Sequence, residues 1–87
     1  MRIVPGFILR EIAGETVAIP TGEAAHRLSG LAALNEGGKF LFELLQTEQT
    51  EESLVNALVD SFEIDSATAA ADTAQFLEIL RQNNMLV

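Results

Sequence analysis

Side chains able to do acid–base, nucleophilic or metal chemistry are few and scattered in this chain. There is no cysteine, which removes disulfides, thiolate nucleophiles and Cys-based metal sites together. The one histidine, His26, lies in the irregular stretch TGEAAHRLS (Thr21–Ser29), with no acid or nucleophile at a recognisable spacing. Zinc takes three or four N, S or O ligands clustered in space, and a single His does not supply them. Gly37-Gly38 ahead of a helical pattern has the look of a phosphate cradle, but the lysine-bearing P-loop pattern is missing. The pair reads instead as permitting close strand–helix approach. The acids from Glu48 to Asp65 read as helix-opening residues and a solvated face. The sequence therefore predicts no catalytic residue, no metal site and no cofactor, and so not an enzyme.

Whatever this chain does must come from its surfaces, and charge narrows the partners. Thirteen acids face five bases, for a formal net charge of −8. Four of the five bases lie at or before Lys39, and most acids lie after it. Nucleic-acid binding requires a basic surface to neutralise phosphates, so DNA and anionic membranes are poor partners for so acidic a chain. No run approaches the ~20 apolar residues that span a bilayer. The start MRIVPGFILREIAGE interrupts any signal-peptide core with Pro5, Gly6, Arg10 and Glu11. A soluble cytoplasmic protein is expected. With 87 residues, 48% of them apolar, the chain makes one globular domain, 1–87, hiding roughly 60–70% of its unfolded surface.

The elements that must present such a surface follow from period and punctuation. Pro5-Gly6 stops a short lead-in. Phe7–Ile12 alternates, Ala13-Gly14 turns, and Thr16–Ile19 is β-branched at three of four positions, a hairpin signal. Pro20, lacking an N–H, closes the second strand. Thr21–Ser29 is a loop with room for a helical turn, and Leu31–Leu34 is a third strand, short enough for an edge position. The organising stretch is Gly30–Leu45, which turns from strand to helix at Asn35, an N-cap residue, with Glu36 at the positive end of the helix dipole. A first helix is predicted from about Glu36 to Gln46. Thr50 caps a second, with Leu54, Leu58 and Phe62 as its apolar stripe. Asp65 caps a third, with Ile64 and Ala69 placed as a hydrophobic staple, and that helix runs to about Arg81–Asn83. The order β-β-β-α-α-α predicts an α+β domain with helices on one face of a small antiparallel sheet.

On a helical projection of the third helix, Ala69, Thr73, Phe76 and Leu80 form one stripe, and Ala70, Ala74, Leu77 and Arg81 the adjacent one. The first is core; the second, mostly small, would leave a shallow channel. Alongside the third strand that channel becomes a groove with unpaired backbone on one wall, able to take up an extended peptide as an added strand. Tight packing of Ala70 and Ala74 on another helix is the alternative.

The segments VAIPTGEAA (Val17–Ala25), LNEGGKFLFELL (Leu34–Leu45), TEESLVNAL (Thr50–Leu58) and DTAQFLEIL with NNMLV (Asp72–Val87) resemble the PqqD family. These are the small peptide chaperones of pyrroloquinoline quinone and other ribosomally made, modified peptides. The resemblance implies a winged-helix-like fold in which the leader of a precursor peptide lies between the third strand and the third helix. It further implies delivery of that leader to a modifying enzyme, often a radical S-adenosylmethionine protein. Carried onto this chain, it assigns the strand wall to Leu31, Ala32, Ala33 and Leu34, and the helix wall to Ala70, Thr73, Ala74, Leu77 and Arg81. Asn84 stands where a glycine is usual and Thr73 where an aliphatic residue is common. The alternative function is a winged-helix nucleic-acid binder, opposed by Asp72 and Glu78 against Arg81 alone on the third helix. An open strand edge can also accept a second copy of the chain, so a homodimer through that edge is an expected complication.

Overall fold

The computed structural model describes residues 1–87. Three antiparallel strands, β1 (Phe7–Ile12), β2 (Glu15–Pro20) and β3 (Leu31–Leu34), form a sheet in the order β1-β2-β3. Three helices follow, α1 (Glu36–Leu44), α2 (Glu51–Phe62) and α3 (Ser66–Gln82). This is the predicted α+β arrangement, and none of its helices is long and apolar enough to cross a membrane.

Local chemistry sets the element boundaries. Ile12 and Glu15 form the last pair of the β1–β2 hairpin. Ala13 (φ 52°) and Gly14 (φ 82°) between them are both left-handed, the backbone of a two-residue type I′ turn, whose twist matches that of the strands. Each helix opens on a side-chain cap. Asn35 Oδ1 accepts from Gly38 N–H at 2.7 Å, Thr50 Oγ1 from Ser53 N–H at 3.0 Å and Asp65 Oδ1 from Thr68 N–H at 3.0 Å. Thr50 N–H in turn donates to Ser53 Oγ, completing a capping box. The end of α3 is a Schellman motif: Asn84 sits at φ 58°, Asn84 N–H reaches Arg81 C=O and Met85 N–H reaches Leu80 C=O. Asn84 thus supplies the left-handed residue for which glycine is the usual choice.

The core lies between the sheet and the helices. Phe7 of β1 meets Phe42 of α1 edge to face at 6.4 Å, and Leu45, Leu54, Leu77, Leu80 and Met85 are fully enclosed. Two departures from the sequence reading concern this core. The first residues are more than a lead-in: Ile3 is buried, pairs with Leu86, and donates its N–H to Leu45 C=O at 2.9 Å. The chain ends therefore form a short ribbon under the helices. Phe62, expected in the apolar stripe of α2, is exposed and stands edge-on to Phe40 at 5.2 Å.

Candidate functional site

β3 is hydrogen-bonded to β2 alone, so one of its edges is free. No backbone group from Leu31 to Leu34 has a partner beyond that ladder. The strand is also bulged. Thr16 pairs with Leu34 and Ala18 with Leu31, so two steps along β2 oppose three along β3. Ala33, at φ 58°, takes up the extra residue. An alanine in that left-handed region costs about 1–2 kcal/mol, and bulges of this kind recur at sheet edges beside functional sites. A short, kinked edge also resists indiscriminate pairing with other chains.

Two glycines set how closely the site is assembled. A methyl group on Gly30 would run into the carbonyl oxygen of Ala18, so only glycine lets β3 approach β2 at its entry. Gly38 is buried where β3, α1 and α3 meet. A Cβ there would lie 3.2 Å from Asn35 Oδ1 and 3.4 Å from the Phe76 ring. Close strand–helix approach, the role read for the Gly37-Gly38 pair, thus falls to Gly38.

A hollow of about 160 Å³ runs between β3 and α3. Leu31, Ala32, Ala33 and Leu34 form one wall, Asn35 and Gly38 the end, and Phe76 and Ile79 the helix side. All four strand residues predicted for the groove therefore line it. The predicted helix residues do not. Thr73 and Leu77 are wholly enclosed in the core, and Ala70, Ala74 and Arg81 are exposed without lining the hollow. The core stripe is as predicted, with Leu77 added to it: Ala69, Thr73, Phe76 and Leu80 are all buried. At about 100° per residue, the 3.6-residue period, the Ala70–Ala74–Arg81 face lies on one flank of that stripe. The Gln75–Phe76–Ile79 face lies on the other, and that flank meets β3.

The site carries little acid–base chemistry. No three of the His, Asp and Glu side chains converge as metal ligands. Asp65 is the one group with a clear titration shift: hydrogen bonds from Thr68, first its side chain and then its backbone, hold the carboxyl below the ordinary aspartate range. That is the signature of a cap and not of catalysis. Thr73 Oγ1, buried in α3, has no hydrogen-bond partner.

Comparison with known proteins bears on the fold and the family. No curated protein matches the sequence. Among solved structures, that of TbiB1 in complex with the TbiA(beta) leader peptide superposes with a TM-score of 0.73. It is 22% identical, with 99% of this chain and 94% of that one covered. At that identity the likeness speaks for the fold. Residues 15–86 match the family described as Coenzyme PQQ synthesis protein D (PqqD). From the second strand to the penultimate residue, then, the chain belongs to the PqqD family.

Proposed function

We propose that this protein is a non-enzymatic peptide-binding adaptor. It takes up the leader of a ribosomally made precursor peptide as a strand added to β3 and presents it to a modifying enzyme, a radical S-adenosylmethionine protein or another maturase. One observation carries this reading: the free edge of β3 borders a hollow whose opposite wall is α3. A guest strand would gain main-chain hydrogen bonds from the edge and side-chain contacts from Leu31, Leu34, Phe76 and Ile79. The family match and the leader bound to TbiB1 support it. Here the proposed peptide-binding residues are Leu31–Leu34 with Phe76 and Ile79. The acidic balance of the chain and the pairing of Arg81 with Glu78 at 3.9 Å leave α3 without the basic face that a groove-reading helix needs.

The test begins with a short open reading frame beside this gene, whose N-terminal segment is synthesised and titrated into isotope-labelled protein. Amide shifts centred on Leu31–Leu34 and on Phe76–Ile79 are expected. Shifts confined to β1, α2 or the exposed Ala70–Ala74 face would contradict the assignment.

A further inference from the structure

The hollow beside β3 does not stop at the strand. It opens past Asn35 into a larger one of about 500 Å³, and the two share Asn35, Gly38, Phe76 and Ile79. That volume falls in the range of about 300–1,000 Å³ typical of ligand pockets. Leu41 and Leu58, both buried, and Phe62 and Ile64 make one side of its lining apolar. Phe62, exposed at the end of α2, forms part of this wall.

The rim is of one sign. Glu36, from the first turn of α1, and Asp72, from α3, both border the larger hollow. Neither takes part in an ion pair, and no Lys, Arg or His lines either hollow. The amides at the start of α1 offset part of the Glu36 charge, whereas Asp72 stands in mid-helix without that help. A hollow with an apolar side bordered by two unpaired carboxylates is complementary to a side chain that is bulky and apolar beside one that is cationic.

Resting on the strand-addition reading, we propose that the guest peptide carries a large apolar residue flanked by lysine or arginine. The apolar side chain fills the hollow bordered by Phe62 and Ile64, and the cation faces Glu36 and Asp72. The hollow lies beyond the C-terminal end of β3. Every pair in the sheet is antiparallel, and a guest that continues the pattern places this anchor N-terminal to its paired segment.

Selection of phage-displayed random dodecapeptides on the intact protein tests this, with the recovered peptides then synthesised. Enrichment of Phe, Leu or Ile beside Lys or Arg is expected. The double variant Glu36→Lys/Asp72→Lys should bind those peptides roughly tenfold more weakly at low salt, from two exposed charge pairs each turned from attraction to repulsion. Glu36→Gln/Asp72→Gln should lose about 2–5-fold, and a Lys→Glu peptide should regain affinity for the reversed protein. Selected peptides that shift the Leu31–Leu34 amides yet lack basic residues, and bind the reversed protein unchanged, would overturn the proposal while leaving strand addition intact. Selected peptides that leave those amides unmoved would overturn both. Both variants alter exposed carboxylates, and thermal melts confirm that they remain folded.

Discussion

Leu77 and Ile79 stand two residues apart on α3 and should behave in opposite ways. Leu77 is 0% exposed and Ile79 is 38% exposed. Truncating a fully enclosed leucine removes transfer energy and leaves a cavity, so Leu77→Ala should destabilise the fold by about 2–5 kcal/mol. A domain of this kind holds about 5–15 kcal/mol in all, so the folded fraction of the variant is measured alongside its binding. Full burial of an isoleucine side chain is worth about 1.5–3 kcal/mol. With roughly three-fifths of Ile79 already covered, Ile79→Ala should cost the fold about 1–2 kcal/mol. The remaining two-fifths is surface that a guest can cover, about 0.6–1.2 kcal/mol, or a roughly three- to eightfold loss of peptide affinity. Urea unfolding followed by circular dichroism gives the first quantity, and calorimetric titration with the leader gives the second. The opposite pattern would have Leu77→Ala weaken binding beyond its loss of folded protein while Ile79→Ala leaves affinity unchanged. That outcome would put the guest on the other flank of α3.

Other perturbations read the fold more directly. Thr73→Val removes a buried hydroxyl without a partner, a group that costs about 1–3 kcal/mol, and should raise the melting temperature by about 4–8 °C per kcal/mol recovered. Gly30→Ala drives a methyl into the Ala18 carbonyl and should separate β3 from β2. Loss of amide protection at Leu31 and Leu34, together with loss of peptide binding, would register it. The carboxyl of Asp65 is held low in the folded protein, so its capping stabilises α3 above the unfolded-state pKa of about 4. That stability is lost as pH falls through the lower folded value. Melting curves of Asp65→Asn should lack the part of the acid-range slope that the parent protein owes to this group.

Much of this architecture is legible in the residues. Asn35, Thr50 and Asp65 each stand before an apolar helical period and each caps a helix, because capping is a local interaction among four residues. The Ala13-Gly14 turn and the short, free third strand are local in the same sense. The helix wall of the groove is not. Periodicity identifies the buried stripe of α3 but leaves its two flanks equivalent, and which one faces β3 depends on how α3 settles on the sheet and on α1 and α2. Phe62 has the spacing of a core residue; it lies outside the core because α2 ends there, with Glu63 turning left-handed at φ 53°. The Ala33 bulge carries no sequence signal, since alanine is not the residue that a left-handed position favours. Ile3 is buried through pairing with a segment at the far end of the chain, a contact that no local pattern encodes.

A guest that completes the ladder on β3 is detected by through-hydrogen-bond scalar coupling between labelled protein and labelled leader. Couplings between guest carbonyls and amides within Leu31–Leu34 are predicted, with the β2–β3 couplings unchanged. A saturated complex in which those amides show no coupling to the guest and keep their exchange rates would contradict strand addition.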